Sequence, residues 1–330
     1  MSAEMELHAG PGSAAADRAE ASIALSVIIS SYNTRELLAD CLRSIYQNPS
    51  GEAFEIIVVD DASVDGTSAM VRDCFPKVRL LVNDSNRHYA YSNNRALELA
   101  LGEYVFLLNS DTIVLPHAFD KMLAFLRSHP EAGAVGCRLL NGDGTIQWSV
   151  KTLPNAGAAL FGARSVLSKI FPGNRFTRKH LLHIGRDMTT PFDVGSGYVS
   201  GAAVMMPRKA VDAAGPLDTR FFYHVDADHC KRIIDAGYRC YYLPEAVIRH
   251  LEHKGGTMAN LRARFRSLTM FEVHSFLYYR KHIQRSALSP MQIVVVLGLF
   301  AHFLVLVSAQ VWRESAAALC SLLRPRTAQR

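Results

Sequence analysis

The chain has 330 residues, of which 49% are hydrophobic and 20% charged, so it can bury a sizeable core and is not disordered throughout. Its formal net charge of +6 suits anionic phospholipid, nucleotide phosphate and nucleic acid equally well. None of its six cysteines belongs to a CxxC pair, which argues against a zinc site and against a disulfide framework.

Strand and helix signals alternate through the N-terminal half. Residues 1–24 are rich in small residues and lack the basic start and apolar run of a secretory signal, so they predict a disordered tail. Short apolar runs predict buried strands over residues 25–30, 54–59, 78–82 and 104–108. Helical spacing predicts helices over residues 37–46, 67–75, 92–101 and 116–126, the last opened by Pro116. This order predicts an α/β fold in which helices sandwich a mostly parallel sheet.

The second half of the chain is less regular. Residues 141–144 predict a turn between two strands, and residues 151–190 form a basic stretch. Further periodic signals predict a helix over residues 228–236 and strands over residues 201–206, 239–243 and 246–249. Together with the first half, these elements define one α/β domain over residues 25–257.

The C-terminal region differs in composition. Residues 258–287 predict a basic, aromatic helical segment, and residues 286–312 contain no Asp, Glu, Lys or Arg. The hydrophobic helix over residues 288–312 fits a membrane span of about 20 residues, and an interfacial or buried helix is the alternative. Basic residues flank it on both sides, including the tail over residues 313–330, so loop charge leaves its orientation open.

Three polar clusters follow predicted strands, at residues 30–33, 60–61 and 109–111. Ligands of parallel sheets bind beyond the carboxyl ends of the strands. A polar loop explains any one of these clusters, whereas three at the same edge of a sheet favour a binding site.

Several polar residues, most of them acidic or histidine, could bind a ligand or take part in catalysis, and each also has a purely structural explanation. Asn109 and Asp111 are hard oxygen ligands for Mg²⁺ or Mn²⁺, and the alternative is a helix N-cap. Asp60 and Asp61 can accept hydrogen bonds from a nucleobase and ribose, and the alternative is a turn. Of Asp226 and Asp228, one can act as a base and the other as a helix N-cap, and the alternative is capping alone. His250 and His253 can bind a metal, and the alternative is that they are surface histidines.

The order of these motifs resembles glycosyltransferase family 2, in its rhamnosyltransferase-like subgroup with a GT-A fold. Residues 26–33 read SVIISSYN, residues 58–67 read VVDDASVDGT, and residues 102–112 read GEYVFLLNSDT. Residues 200–202 read SGA, residues 221–232 read FFYHVDADHCKR, and residues 244–250 read PEAVIRH. Together these segments are similar to the family's donor loop, metal motif, acceptor-side turn, base segment and later histidine.

The resemblance implies an inverting transfer of rhamnose or a similar hexose from a dTDP- or UDP-linked donor, with a divalent metal as cofactor. Asp226 is the implied general base, and Asp111 with His250 the implied metal ligands. The implied donor-binding residues are Ser30, Tyr32, Asn33, Asp60, Asp61, Arg87, Asn109 and Ser110. The implied acceptor-side residues are Ser200, Gly201 and Asp228.

The chain departs from the family pattern in two places. The residue before the implied base is Val225, where the family has an acid. The family's NxGFxxxNNxG loop reads NRHYAYSNNRA over residues 86–96, so His88 replaces the first glycine and the Arg95–Ala96 end of the loop lacks the second, where glycine would allow a positive φ or a close backbone approach. These departures motivate the alternative of a catalytically impaired, sugar-nucleotide-binding or scaffold protein.

The implied acceptor is a glycan or lipid-linked glycan of cell-surface polysaccharide. The apolar C-terminal helix and its basic flanks predict contact with an anionic membrane surface, either peripheral or through a single span. The predicted location is therefore the cytoplasmic face of the cell membrane, and no nucleic-acid partner is expected.

Overall fold

The computed structural model describes residues 23–154, 187–251, 261–284 and 290–323. The strands are β1 (Leu25–Ser31), β2 (Phe54–Asp60), β3 (Arg79–Val82), β4 (Tyr104–Asn109), β5 (Thr112–Val114), β6 (Ala132–Leu140), β7 (Ile146–Gln147), β8 (Val150–Thr152), β9 (Phe192–Asp193), β10 (Gly197–Val199), β11 (Ala203–Pro207) and β12 (Arg239–His250). The helices are α1 (Arg35–Gln47), α2 (Thr67–Cys74), α3 (His88–Leu97), α4 (Ala118–Ser128), α5 (Arg208–Ala214), α6 (Val225–Asp235), α7 (Leu261–His282) and α8 (Pro290–Leu323).

The central sheet has the strand order β3-β2-β1-β4-β11-β6-β12-β5, with β7 paired to β6 and β9 to β12. The four strands from β3 to β4 are parallel, as is the β6–β12 pair. Strand β11 runs antiparallel between β4 and β6, and β5 runs antiparallel to β12. The predicted α/β architecture with helices on both faces is confirmed, and the inserted antiparallel β11 is a feature that local patterns do not reveal.

Two apolar layers cover the faces of the sheet because successive side chains of each strand point to opposite sides. In β4, Phe106 and Leu108 face a layer formed with α1, α2 and α4. Its intervening residues, Val105 and Leu107, face a second layer formed with α3, α5, α6 and the Tyr278 side chain of α7. A strand buried on both faces reads as a continuous apolar run, which is why the first strands were predictable.

Helices α3 and α6 begin earlier in the chain than the sequence predicts. Helix α3 begins at His88, four residues before its predicted start, because the Asp61 carboxylate accepts the N–H groups of Arg87 and His88. Helix α6 begins at Val225 after His224, which is its N-cap. Neither Asp226 nor Asp228 is an N-cap, so that alternative is wrong for both.

Other predicted boundaries shift by a few residues. Helix α4 begins at Ala118, two residues after Pro116. The two strands predicted over 239–243 and 246–249 are one strand, β12, with an irregularity between Leu243 and Val247. The turn predicted over 141–144 joins β6 to β7, where the N–H of Asn141 donates to the carbonyl of Thr145 over 2.8 Å.

The edge strand β5 is covered by helix α1. The N–H of Val114 donates to the Ser44 hydroxyl over 2.9 Å, and the Asn48 amide donates to the carbonyl of Val114 over 3.1 Å. These two side chains therefore satisfy backbone groups on the side of β5 that faces away from β12.

The C-terminal helices extend beyond the sheet. Helix α7 packs on the loop before α6, and α8 pairs with α7 through a 2.7 Å contact between His302 and Glu272. Within the described ranges, no helix is both long and apolar enough to cross a bilayer, so the span considered for residues 288–312 is not found. Residues 1–22 of the predicted tail over 1–24, most of the basic stretch, His253 and residues 324–330 lie outside the described residues.

Candidate active site

The polar clusters after β1, β2 and β4 meet at one edge of the sheet. In the parallel ladder, Ser31 pairs with Asp60 and Ser30 pairs with Asn109, so the three strands end side by side. The N–H of Asp61 donates to the carbonyl of Ser31 over 2.8 Å and extends this alignment beyond the strands. The structure therefore brings the three clusters together.

Side-chain hydrogen bonds join the loops that follow these strands. The Thr34 hydroxyl lies 2.8 Å from the Ser31 hydroxyl and 2.9 Å from the Ser110 hydroxyl, linking the β1 and β4 loops. The Asn33 N–H donates to the Ser63 hydroxyl over 2.8 Å, linking the β1 and β2 loops. The three loops consequently form one connected rim.

The remaining residues of the β1 loop differ in exposure. The Ser30 hydroxyl accepts a 3.3 Å hydrogen bond from the Asn93 amide of α3. The Tyr32 side chain is 48% exposed, so its ring is accessible to a ligand at the rim. Ser30 thus joins the loop to α3, whereas Tyr32 presents a free aromatic surface.

Asp60 and Asp61 are buried and already hold the surrounding backbone. Asp60 accepts the N–H of Ser63 over 3.0 Å and the hydroxyl of Ser68. Asp61 accepts the N–H groups of Arg87 and His88, each over 2.8 Å. Asp60 therefore does form a turn. A carboxylate offers about four positions that can accept a hydrogen bond, so each of the two retains acceptor capacity for a ligand.

Asn83 links Asp61 to helix α3, and local patterns gave no signal for it. Its amide nitrogen donates to Asp61 over 2.6 Å and to the Ser92 hydroxyl over 2.9 Å. Its oxygen accepts a hydrogen bond from the Arg95 guanidinium. Arg95 therefore holds the loop after β3 and is directed towards Asn83.

The predicted metal residues come together across the β5–β12 ladder. Thr112 pairs with His250, and the N–H of Leu251 donates to the carbonyl of Asp111 over 2.9 Å. This pairing places His250 Nε2 3.2 Å from Asp111 Oδ1 and 3.4 Å from the Asn109 amide nitrogen. A histidine 139 positions further along the chain than Asp111 thereby reaches the strand end, which sequence spacing alone could not show.

The protonation of His250 fits a cation at this place. His250 Nδ1 lies 2.7 Å from Gln147 Oε1, and Gln147 is held in that orientation because its Nε2 donates to Asn141 over 3.0 Å. An amide oxygen accepts, so Nδ1 donates this hydrogen bond, and Nε2 is the nitrogen that faces the Asp111 carboxylate. A second contact of this kind fixes the ring orientation of a histidine that binds a metal through its other nitrogen.

The protein offers few metal-binding side chains at this place. Within the described residues, no three His, Cys, Asp or Glu side chains form a group that could hold a metal. Asp111 and His250 would therefore hold a divalent ion together with the Asn109 oxygen and oxygens of a substrate, an arrangement with open positions.

The implied base, Asp226, lies against the acceptor-side turn. Its Oδ2 accepts the N–H of Gly201 over 3.3 Å and its Oδ1 accepts the N–H of Ala227 over 2.9 Å. A methyl group at Gly201 would lie 3.3 Å from the Asp226 Cβ, so glycine permits this approach. The N–H of the neighbouring Ser200 donates to the carbonyl of Ser149 over 2.8 Å, which anchors the turn.

Asp228 lies elsewhere. Its carboxylate is 1% exposed and contacts Lys281 at 2.6 Å, His282 at 2.7 Å and Arg232 at 3.0 Å. Burial alone would raise the pKa of Asp228, but the hydrogen bonds from His282 and Lys281 and the charge of Arg232 lower it below its ordinary value. Asp228 is consequently not brought to the acceptor side, and it holds α7 against α6.

Comparison with known proteins identifies the family. The model of glycosyl transferase family 2 matches residues 26–195, more than half of the chain. The chain belongs to glycosyl transferase family 2. It is therefore a glycosyltransferase, and the matched region contains the three rim loops and the Asn109–Asp111 segment.

Relatives and solved structures agree with this assignment. A Mycobacterium tuberculosis protein named N-acetylglucosaminyl-diphospho-decaprenol L-rhamnosyltransferase is 28% identical over 231 residues, which cover 66% of this chain and 73% of that protein. The mannosyltransferase PcManGT of Pyrobaculum calidifontis, solved with GDP-Man and Mn²⁺, is 19% identical with a TM-score of 0.53, covering 91% of this chain and 81% of its own. S. aureus TarS 1–349, solved with UDP-GlcNAc, is 16% identical with a TM-score of 0.51, covering 85% and 80%. Both structures show the same GT-A-like fold.

The departures of this glycosyltransferase from the family pattern have visible consequences. His88 has a φ of +66°, so it keeps the backbone conformation that a glycine would adopt freely. Its ring packs edge-on against Phe222, with 5.2 Å between centroids. Val225, the first residue of α6, is buried in the second apolar layer, where an acid would lose its hydration. The guanidinium of Arg87 lies 4.6 Å from the ring centre of Tyr91.

Helix α7 contacts the loop before Asp226 and lies outside the region that the family model matches. His274 Nδ1 accepts the N–H groups of Phe222 and Tyr223 over 3.1 and 3.0 Å. His224 Nε2 lies 2.9 Å from the Ser275 hydroxyl. These contacts fix the loop that immediately precedes Asp226, and neither motif nor periodicity indicated them.

Proposed function

We propose that this glycosyltransferase transfers rhamnose or a similar hexose, with inversion, from a nucleoside-diphosphate donor to a hydroxyl group of a lipid-linked glycan. The observation that carries the proposal is the meeting of three groups at one sheet edge. These are the buried Asp60–Asp61 pair, the Asp111–His250 pair and the base candidate Asp226 beside Gly201.

The transfer needs one general base. Asp226 would take the proton of the acceptor hydroxyl while that oxygen forms a bond to the anomeric carbon. The bond from the anomeric carbon to the diphosphate oxygen breaks, and its electron pair leaves with the nucleoside diphosphate. A single displacement from the opposite face inverts the configuration at that carbon.

The donor would bind along the connected rim. Asp60 and Asp61 offer carboxylate oxygens to the nucleobase and ribose, and the accessible Tyr32 ring offers a stacking surface. Ser30, Asn33 and Ser110 supply hydroxyl and amide groups around them, and Arg87 supplies positive charge for the diphosphate.

A divalent cation would be held by Asp111, His250 and the Asn109 oxygen. When bound, such an ion neutralises the charge that develops on the departing diphosphate. The convergence of the Asp111 oxygen and His250 Nε2, 3.2 Å apart at the end of β4, supports this assignment, because a carboxylate oxygen and an imidazole nitrogen are both ligands of divalent metals.

The acceptor class is proposed from a relative and from the C-terminal helices. The mycobacterial relative is named for a diphospho-decaprenol acceptor, which is a membrane lipid. Helix α8 exposes large apolar side chains, among them Ile293, Leu297 and Phe300. We therefore place the protein at the cytoplasmic face of the membrane, where a lipid-linked acceptor and a soluble nucleotide sugar can meet.

The test is a panel of dTDP-rhamnose, UDP-sugars and GDP-mannose, assayed for binding and transfer with and without Mn²⁺. One donor should bind in a metal-dependent manner, and Asp111→Ala should abolish that dependence. Asp226→Asn should bind the donor normally and lower kcat by about 10²–10⁴-fold, the usual contribution of a general base. Asp40→Asn, which changes an exposed carboxylate paired with Arg43, is the matched control and should match wild type.

Two results would contradict the proposal. If Asp226→Asn transferred sugar at the wild-type rate, the base would lie elsewhere. If well-folded protein bound no donor in the presence of metal, the scaffold alternative would stand, and His88 would be the first residue to revert.

A further inference from the structure

Tyr89 lies between the donor side and the base side of the site. It is the second residue of α3, directly after His88, whose N–H donates to Asp61. Its hydroxyl donates to the carbonyl of Gly201 over 3.0 Å, although the two residues are 112 positions apart. The phenol therefore connects the start of α3 to the acceptor-side turn.

Gly201 is held from both sides. Its carbonyl accepts the Tyr89 hydroxyl, and its N–H donates to Asp226 Oδ2 over 3.3 Å. A methyl group on Gly201 would lie 3.5 Å from the Tyr89 oxygen and 3.3 Å from the Asp226 Cβ. The tyrosine hydroxyl, the glycine backbone and the carboxylate consequently form one packed unit.

The Tyr89 hydroxyl remains a donor under all ordinary conditions. Burial raises the pKa of Tyr89 well above its usual value, and the nearby Asp226 charge raises it further. Its backbone is fixed as well, because the carbonyl of Tyr89 accepts a 2.8 Å hydrogen bond from the Asn93 amide. A rigid neutral donor suits the fixing of a backbone turn.

We propose that Tyr89 is a positioning residue that acts on Asp226 through Gly201. The inference rests on the proposed role of Asp226 as the base. The resemblance places phenylalanine at this point of the loop, so the hydroxyl is a feature of this chain. Phenylalanine would fill the same space and leave the Gly201 carbonyl without this donor, so the turn that presents its N–H to the base would be less constrained.

The experiment is the isosteric variant Tyr89→Phe, with Tyr46→Phe as control because Tyr46 stacks on Phe75 in the α1–α2 region and is partly exposed. Tyr89→Phe should lower kcat by about tenfold, the effect of one lost hydrogen bond, and leave the donor KM unchanged. Tyr46→Phe should change neither.

A double-mutant cycle separates positioning from a general structural effect. If Tyr89 acts through Asp226, Tyr89→Phe should have little further effect on the residual activity of Asp226→Asn, because the group that it positions is already lost. Equal fold-losses in both backgrounds would overturn the inference.

A second readout does not depend on transfer. Amide hydrogen exchange at Gly201 should be at least about tenfold faster in Tyr89→Phe, since a less constrained turn opens more often, and this increase should exceed the increase at amides that exchange only through global unfolding. Unchanged exchange would overturn the inference. Absence of transfer by wild type would contradict the proposed function alone, and the exchange measurement would still decide the link between Tyr89 and Gly201.

Discussion

Non-glycine residues with left-handed backbone conformation concentrate around the site. Asn33, Ala62, His88 and His224 have φ values between +52° and +67° and lie in the loops that carry the rim or precede Asp226. His117, the N-cap of α4, has a similar φ of +62° but lies outside these loops. Such conformations cost about 1 kcal/mol or more for residues with a Cβ, so the surrounding contacts must hold them.

The strain at His88 predicts a stability measurement. His117→Gly should raise the free energy of unfolding by about 1 kcal/mol, because it removes left-handed strain from a residue outside the site. His88→Gly should gain less, because it also loses the ring contact with Phe222, which is worth about 0.5–1.5 kcal/mol. Urea denaturation of both variants measures the difference, and a larger gain for His88→Gly would show that the ring contact contributes nothing.

His229 predicts a pH dependence of stability. Burial, followed by the charge of Arg232, lowers the pKa of His229 to about 3. In the unfolded chain the group titrates near about 6.5, so below that pH the unfolded state binds more protons than the folded state. The free energy of unfolding should therefore fall with decreasing pH, by up to about 1.4 kcal/mol per unit from this residue.

The matched variant is His229→Met, which fills a similar volume with a side chain that does not titrate. Denaturation at pH 7 and pH 5 should show a smaller loss of stability for the variant than for wild type. Equal losses would mean that His229 does not contribute to the acid sensitivity.

Residue types predicted the rim, because carboxylates and amides after apolar strands have a recognisable pattern. They did not predict Asn83, His274 or the placement of Asp228, since these contacts join elements far apart in the chain. A motif position also does not define an orientation. Asp226 and Asp228 are two residues apart in α6, so their side chains diverge around the helix, and only one reaches Gly201.

At the scale of elements, α7 behaves as part of the catalytic domain. Its Tyr278 is 1% exposed within the second apolar layer, and its Lys281 contacts both Asp218 and Asp228. Strands were predictable because burial on both faces makes them continuous apolar runs. The position of α7 was not predictable, because its polar contacts have no periodicity that local patterns could detect.

The contact between α7 and the loop before Asp226 predicts a matched pair of variants. His274→Ala should lower the free energy of unfolding by about 1–3 kcal/mol, because the N–H groups of Phe222 and Tyr223 lose their acceptor. It should also lower kcat, since this loop leads into Asp226. His274→Asn restores an acceptor near the position of Nδ1 and should recover most of both losses. Denaturation and steady-state kinetics that could not distinguish Ala from Asn would refute the role of the acceptor.

At the scale of the whole molecule, charge and apolar surface coincide in the C-terminal helices. Helix α7 carries five Arg or Lys residues and one carboxylate, Glu272. On α8, Ile293, Leu297, Phe300 and Leu304 follow a spacing of four, three and four residues, so they share one face, and each is at least 47% exposed. A basic element beside an apolar face matches the surface of an anionic bilayer.

This surface predicts binding to phospholipid vesicles. Wild-type protein should sediment with vesicles that contain anionic phospholipid and more weakly with neutral ones. Leu297→Glu together with Phe300→Glu should lower the partition coefficient at least about tenfold, because each buried side chain contributes about 1.5–3 kcal/mol. Leu101→Glu, a change at a side chain that is 69% exposed outside these helices, is the control and should bind normally. If the wild-type protein formed an oligomer and did not bind vesicles, this apolar face would instead contact a second copy of the chain.

The cover that α1 provides for β5 also bears on the behaviour of the protein at high concentration. An uncovered edge strand offers unpaired N–H and carbonyl groups to any extended peptide, including the edge of a neighbouring molecule. Ser44 and Asn48 occupy such groups of Val114, so β5 is a poor template for the addition of another strand. This edge of the sheet therefore ends at the strand that follows Asp111, and two polar side chains of α1 protect it from intermolecular strand pairing.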